Sequence, residues 1–349
     1  MILKRNSKGI NIIVPIATFC GIFLLFALLL TEFWFTKYSS RVDLRFESKL
    51  LRNSIIFENR TTNNLNSAIL IQYYNNPSFV KLLSESIISC LLQAKSTQLV
   101  VNIDDHAIHS REAWMTVFDK QSDRYENITL IFAPNIHELR AYNIMSQIVS
   151  AVDDQIDFIF LLQDDDMPPT KLPCLWIETA VDLFRLIPSV GVIGMNVGEI
   201  YGNHSSRRKD SMRCLRPPLS ESTTLQNTPL QFACTVDIGP LAIRKSLFSL
   251  LGGFDTTISP KGLPGIGLDF DFCWRAWAAG AHVIHMPISF RRRVTDGRGL
   301  RNTQVKSKRR ELHKKAQERL RLRYNESLRD HVAQEVRRLN NRYTVDCGS

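Results

Sequence analysis

Three consecutive carboxylates, Asp164, Asp165 and Asp166, follow the apolar run Phe158-Ile159-Phe160-Leu161-Leu162 and precede Met167-Pro168-Pro169. A short apolar run bounded by turn residues predicts a buried strand of a parallel sheet. The acids then sit where that strand leaves the sheet at its carboxyl end, the edge at which open α/β sheets bind ligands. Adjacent carboxylates repel one another unless a cation or strong donors neutralise them. Hard oxygen ligands suit Mn²⁺ or Mg²⁺, ions commonly shared with substrate phosphates. The competing reading is a solvated acidic turn.

A second acidic cluster lies about a hundred residues on. Gly252-Gly253-Phe254-Asp255 leads into a loop carrying Pro260, Gly262, Pro264, Gly265 and Gly267, and then into Leu268-Asp269-Phe270-Asp271-Phe272-Cys273-Trp274-Arg275. A helix starting near Asp269 would hold its carboxylates at the positive end of the helix dipole. The loop before it supplies the mobile or tightly turned backbone that a substrate lid needs. The plainer reading is a pair of N-terminal acids on a helix that packs Phe272, Trp274 and Trp277. Asp269 and Asp271 are two positions apart, some 200° on a helix, so both cannot face one acceptor.

The elements that must position these acids are legible as alternating patterns. Strands are expected at Ala68–Tyr74, Gln98–Ile103, Ile128–Phe132, Asp157–Leu162 and Ala281–Pro287, and helices at Phe79–Leu92 and Glu138–Val152. Strands alternating with helices predict an α/β fold with a mostly parallel sheet and helices on both faces. Residues 67–295 suffice for one sizeable domain. There is no phosphate-binding P-loop, no dinucleotide glycine fingerprint and no Ser/His/Asp or Cys/His nucleophile arrangement.

Strand, Asp104-Asp105, a strand ending in LLQDDDMPP, then GGFD…GLDFDFCWRAWAAG and a G-x-x-V-x-x-x-P strand: over roughly residues 67–290 this order resembles the nucleotide-sugar-dependent GT-A glycosyltransferases, especially the family 2-like inverting group. The resemblance implies a Rossmann-like fold and transfer from a nucleotide-diphosphate donor, a UDP-sugar, to a hydroxyl of a glycan or glycoprotein acceptor, with Mn²⁺ or Mg²⁺. It implies that Asp104 or Asp105 contacts the nucleoside and that Arg140 and Asn143 face the nucleotide. Asp164, Asp165 and Asp166 match the metal site, with Asp165 the best match because the family's first Asp falls on Gln163. Asp269 matches the base that activates the acceptor, Asp271 and Arg275 match later positions of that helix, and the Glu preceding the base is Leu268 here. His285, in strand spacing, is expected to be structural.

Residues 10–30 form an uncharged span of 21 positions preceded by Lys4, Arg5 and Lys8. That length crosses a hydrocarbon core of roughly 30 Å, and the preceding cations orient it with residues 1–9 cytoplasmic. The expectation is a single-pass type II anchor of the Golgi or ER membrane, with a stem at 31–66 and a lumenal catalytic domain. Sequons at Asn59, Asn127, Asn203 and Asn325 agree with a lumenal fate, and six cysteines beyond the span could form one or two disulfides there. The net charge of +10 is uneven: residues 291–343 hold 18 Lys and Arg against 6 Asp and Glu. The segment 296–349 therefore reads as a basic, helical extension, solvated and separable or in contact with acidic glycans, phosphates or membrane. No nucleic-acid partner is expected. A catalytically inactive membrane-anchored glycan-binding protein, or a nucleotidyltransferase on a related sheet, is the alternative function.

Overall fold

The computed structural model describes residues 2–6, 9–13, 66–74, 76–93, 97–104, 108–121, 128–133, 136–169, 174–196, 198–199, 213–217, 219, 225, 228–260, 263–288, 290–292 and 303–347. Three strand–helix units build the first half: β3 (Ser67–Tyr73), α1 (Pro77–Gln93), β4 (Thr97–Asp104), α2 (Ile108–Gln121), β5 (Ile128–Ala133), α3 (His137–Val152) and β6 (Phe158–Gln163). β3 pairs in parallel with β4 on one side and with β6 on the other, and β5 continues beyond β4. Right-handed crossovers make this order consequential. The steps β3→β4→β5 run one way across the sheet, and the return β5→β6 runs the other. α1 and α2 therefore share one face and α3 takes the opposite one. The direction of winding reverses between β3 and β6, which opens a crevice at their carboxyl ends.

The second half departs from a plain parallel order. β7 (Asp166–Met167), α4 (Leu175–Leu186), β8 (Val190–Gly194), β9 (Gly198–Glu199), β10 (Arg213–Leu215), β11 (Gln231–Phe232), β12 (Thr235–Val236), β13 (Leu241–Arg244), α5 (Lys245–Leu250), α6 (Leu268–Ala278), β14 (His282–His285) and β15 (Arg291–Arg292) follow in turn. β13 lies antiparallel between β6 and β8, β14 is parallel to β8, and β11 is antiparallel to β14. The sheet is thus mixed on this side. Its strands are buried on both faces, from Ala68, Ile69, Leu70 and Ile71 to Ile159, Phe160, Leu161 and Leu162. Their continuous apolar runs, rather than alternating ones, follow from that burial. Edge-to-face contacts of Phe160 with Trp176, and of Tyr73 with Trp114, fill one face of the sheet, since Phe160 is paired with Ile69 and Tyr73 lies four positions on in β3.

Beyond β5 the sheet is extended by an antiparallel pair, β1 (Ile2–Asn6) and β2 (Gly9–Ile13). Residues 10–13 of the expected membrane span are therefore strand, not helix: β-branched Ile10, Ile12 and Ile13 suit a strand, and β5 offers an open edge to the pair. Residues 14–30 of that span, the expected stem up to residue 65, Asp105 and the sequons at Asn59, Asn127 and Asn203 lie outside the described residues. Among the described residues no helix is long and apolar enough to cross a membrane.

The basic C-terminal segment is not a separable, solvated extension. It forms two helices, α7 (Thr303–Arg323) and α8 (Glu326–Tyr343), and a last strand, β16 (Thr344–Asp346), that pairs with β10. Asn325 breaks the run and caps α8, its side chain accepting the Leu328 N–H at 2.9 Å. Leu328, Val332, Val336 and Leu339 recur on one face of α8 and are buried in the main core, a stripe hidden by the charges around it. Asn340 locks α8 to β11 by accepting the Phe232 N–H at 2.8 Å and donating to the Phe232 carbonyl at 3.0 Å. The disulfides among the described residues are Cys90–Cys174 and Cys214–Cys347, the second fastening Cys347 to β10, while Cys234 and Cys273 are buried outside these bonds.

Removing residues 324–349 strips four fully buried aliphatic side chains from the core. At about 2 kcal/mol each the loss is comparable with the whole net stability of a typical domain. The truncated chain is expected to lose cooperative thermal unfolding, as read by circular dichroism. A melting temperature within a few degrees of the intact chain would contradict this packing.

Candidate functional site

The triplet occupies the turn that links β6 to β7, and its three carboxylates diverge. The Tyr74 N–H, just past β3, donates to Asp164 Oδ2 at 3.3 Å, so this contact spans the crevice between β3 and β6. Asp166 turns inward, fully buried, and its Oδ2 accepts the Gln163 N–H at 2.9 Å. Asp165 stays half-buried at the tip of the turn. Burial and then the neighbouring Asp165 charge push Asp164 up from the ordinary 3.8 to about 7. Among the described residues no three His, Cys, Asp or Glu side chains converge as a metal cluster. β15 pairs antiparallel with β7, setting Arg292 opposite Asp166 and Arg291 opposite Met167 along the backbone. A basic run 125 positions away in the sequence thereby lies in register with the acidic turn.

Asp269 opens α6, a helix that buries Leu268, Phe272, Cys273, Ala276 and Trp277 along one face. Trp277 fixes the other end of that face by donating its indole N–H to the carbonyls of Ala233 and Cys234 at 3.2 and 3.1 Å. Asp269 Oδ2 accepts the Ile238 N–H at 3.0 Å, and its Oδ1 accepts the Phe270 N–H at 2.9 Å. Burial first, and then the Asp237 charge, raise this carboxyl to about 6 against those stabilising hydrogen bonds.

The segment Asp237-Ile238-Gly239 joins the two acidic sites. Gly239 has φ +83°, and a Cβ there would stand 2.6 Å from Asp166 Oδ2 and 2.9 Å from Gln163 Oε1, so only glycine lets the backbone lie this close to the turn. Asp269 holds Ile238, the next residue back. From these contacts and the reach of one residue, the Asp166 and Asp269 carboxylates lie within roughly 12 Å of each other. The two clusters thus meet at one place on the carboxyl edge of the sheet.

Other expected residues are placed differently. Asn143 is consumed by the GGFD loop: its amide donates to the Phe254 carbonyl and accepts the Phe254 N–H, both at 2.8 Å. A Cβ on Gly253, at φ +75°, would sit 2.5 Å from Asn143 Oδ1, which explains the glycine. Arg140, one turn earlier on α3, donates Nη2 to the carbonyls of Thr256 and Ser259 at 3.3 and 3.1 Å. Both side chains brace the loop before α6, because α3 presents positions 140 and 143 to it; Arg140 Nη1 is buried without a hydrogen-bond partner among the described residues. Asp104 closes β4. His285 is buried at the end of β14, its Nε2 within 3.3 Å of the Asn196 carbonyl and its Nδ1 without a hydrogen-bond partner among the described residues.

Asp271 faces away from Asp269 and is fully buried. Its Oδ2 takes Arg275 Nε at 2.7 Å; its Oδ1 takes both Arg323 Nη1 and the Tyr324 hydroxyl at 2.7 Å. Arg323 also reaches Asp255 of the GGFD loop at 2.6 Å. Burial acts to raise Asp255, but the Thr257 hydrogen bonds and Arg323 outweigh it and leave the carboxyl below its ordinary range. Arg323, Tyr324 and the 237–239 segment are the residues that sequence reasoning missed. The turn residues Gly239-Pro240 and the Asn325 cap were the available signals.

Two measurements follow from these charges. Asp164 and Asp269 bind protons more readily in the folded chain than in an unfolded one. The folded state therefore holds the extra protons between about pH 4 and pH 7, and stability falls as pH rises through that window. Denaturant unfolding at pH 5 and pH 8 should show a smaller fall for Asp164→Asn and Asp269→Asn than for the unaltered chain. Arg323→Ala leaves a fully buried carboxylate and its loop partner short of a cation, and should cost about 2 kcal/mol in the same assay.

No family model matches the chain, and no curated protein matches its sequence. Among solved structures it is similar to the mannosyltransferase PcManGT from Pyrobaculum calidifontis in complex with GDP-Man and Mn²⁺, at 14% identity and a TM-score of 0.44 over 69% of this chain. It is also similar to the 1–349 piece of TarS from S. aureus in complex with UDP-GlcNAc, at 12% identity and a TM-score of 0.48 over 79% of this chain and 73% of that one. The chain spans 60% of the mannosyltransferase and 43% of a longer TarS structure.

Proposed function

We propose that the chain is a metal-dependent, inverting glycosyltransferase of the GT-A type, moving a sugar from a nucleotide-diphosphate donor to a hydroxyl of a glycan or glycoprotein. The observation that carries this reading is the meeting of Asp269 with the triplet turn across Asp237-Ile238-Gly239, at the switch-point crevice. The turn supplies a place for a charged leaving group and Asp269 supplies a base within reach of the same place.

Asp269, buried at the N-terminus of α6 and raised to about 6, is deprotonated at neutral pH yet basic enough to take a proton. The acceptor O–H gives its proton to Asp269 as the oxygen attacks the donor C1. The bond from C1 to the phosphate oxygen breaks, and its electron pair leaves with the nucleotide diphosphate. One base and one displacement invert C1. Asp271, with both oxygens held by Arg275, Arg323 and Tyr324, is assigned to anchoring rather than to the base. The position before Asp269 is the buried Leu268, so the carboxylate that acts on the base comes from Asp237 across the site.

Asp164 and Asp165 fit a divalent ion: their mutual repulsion, which helps to raise Asp164, is what a cation would relieve. Asp166, turned toward Gln163 and Gly239, is left out of that pair. Mn²⁺ or Mg²⁺ bound there would neutralise the diphosphate charge. Arg140 Nη1, with no hydrogen-bond partner among the described residues, is a donor suited to the nucleotide. The disulfides Cys90–Cys174 and Cys214–Cys347 support an oxidising compartment, and we place the domain in the lumen of the Golgi or ER.

Asp269→Asn is expected to lower kcat about 10²–10⁴-fold while leaving donor affinity near normal. Asp271→Asn should instead lower the melting temperature. Turnover, calorimetric donor binding and melting curves on both variants separate the roles; near-normal transfer by Asp269→Asn would reject the assignment. Asp165→Ala should abolish Mn²⁺-dependent donor binding, and donor affinity and turnover unchanged by EDTA would reject the metal.

A further inference from the structure

α3 turns two sides toward the site. Arg140 and Asn143, on one, brace the GGFD loop. Glu138 and Tyr142, four positions apart, share the other. The Tyr142 hydroxyl donates to the Leu162 carbonyl at 2.8 Å, which seats this side of the helix on the end of β6. α3 runs back against the parallel strands, so its first turn stands at their carboxyl edge. Glu138 is then one turn, about 5.4 Å, nearer that edge than Tyr142, just as Asp164 is two residues, about 6.6 Å, beyond Leu162. The Glu138 carboxylate is thereby brought beside Asp164. Burial, and then the Glu138 charge ahead of the triplet charges, push the Tyr142 hydroxyl well above its ordinary value, in keeping with this placement.

Glu138 Oε2 is buried and accepts no hydrogen bond among the described residues. A second acceptor shares that condition. Asn102 of β4 is 1% exposed; its amide donates to Gln72 Oε1 at 2.7 Å, while its own Oδ1 has no donor among the described residues. Gln72 and Asn102 are paired in register on the face opposite the Tyr73–Trp114 contact, which is the face that α3 covers. Two acceptors thus lack donors between α3 and the carboxyl ends of β3 and β4. A buried acceptor is costly unless a ligand or an ordered water donates to it.

In the proposed reaction the diphosphate is held at Asp164 and Asp165, at the end of β6. The transferred sugar lies toward Asp269, on the β13 side of β6. The nucleoside is joined to the other end of the diphosphate and so extends to the opposite side, over β3 and β4. Its ribose is the first group beyond the phosphates and carries two adjacent hydroxyls. An ionised carboxylate only accepts hydrogen bonds, and a vicinal diol offers it two donors.

We infer that Glu138 is a binding residue for the donor ribose, its carboxylate accepting the 2′- and 3′-hydroxyls while Asp164 and Asp165 face the diphosphate. This rests on the glycosyltransferase reading and adds to it a requirement for a ribonucleotide donor.

The test uses the full-length chain and calorimetric binding of UDP, GDP and their 2′-deoxy and 3′-deoxy counterparts, with and without Mn²⁺, so that turnover does not enter. The unaltered chain should bind a ribonucleotide about tenfold or more tighter than at least one of its deoxy forms. In E138A, whose melting temperature is checked first, that gap should close, because the ribonucleotide weakens and the deoxy form does not. E138Q keeps the shape and one acceptor oxygen; its gap should be narrower than that of the unaltered chain, and it carries the test if E138A fails to fold. Equal binding of ribose and deoxyribose forms by the unaltered chain, or a gap that survives in the variants, overturns the inference. An equal loss for both forms also overturns it, making Glu138 a contact of the base or a residue of the fold. A chain that binds nucleotides without regard to the ribose hydroxyls refutes the role of Glu138 alone. A chain that binds neither UDP nor GDP refutes the transferase reading and this inference with it.

Discussion

A carboxylate with no exposure to water must be matched by donors, or its charge is too costly to bury. Asp271 is that carboxylate, and its three donors come from two regions of the chain: Arg275 one turn along α6, and Arg323 with Tyr324 at the break between α7 and α8. Satisfying it requires that α6 and the C-terminal helices come together. Arg323 carries the requirement further, because its other nitrogen holds Asp255 in the GGFD loop. Helix, loop and C-terminal pair are thereby one body. Asp269 sits at the start of that helix, so its position is inherited from a contact made on the opposite side.

The same economy governs the sheet. The reversal of winding between β3 and β6 makes the crevice, and the Tyr74–Asp164 contact spans it. β13 then returns antiparallel against β6, and the chain just before it, Asp237-Ile238-Gly239, is laid across the carboxyl edge. That short segment touches Gln163 and Asp166 through Gly239 and Asp269 through Ile238. Without an antiparallel strand at this place the second acidic cluster would have no backbone linking it to the first.

Much of the scaffold was legible because it is encoded by local pattern. The runs around Leu70, Val100, Leu130 and Ile159 are apolar without alternation, as strands buried on both faces must be. Asp164–Asp166 at a strand end and Asp269 at a helix start follow from turn and dipole rules that need only neighbouring residues. Arg140 and Asn143 show where that logic stops. Their helix was visible, but which of its faces meets the GGFD loop depends on a residue 111 positions away. The C-terminal segment shows it again: its dense charge concealed the stripe Leu328, Val332, Val336 and Leu339, which becomes a core face once β10 and β11 are there to receive it.

By itself the sequence determined the α/β alternation, the strands, the two acidic clusters and the Gly/Pro loop between them, because propensity, periodicity and turn chemistry act over a few residues. Only the tertiary structure decided that the clusters meet, that Asp271 anchors while Asp269 is left facing Ile238, and that Arg323 belongs to the site's framework. Those outcomes rest on pairings across 52 residues for Arg323 and 31 for Ile238, set by which surfaces pack best, and no spacing along the chain records them.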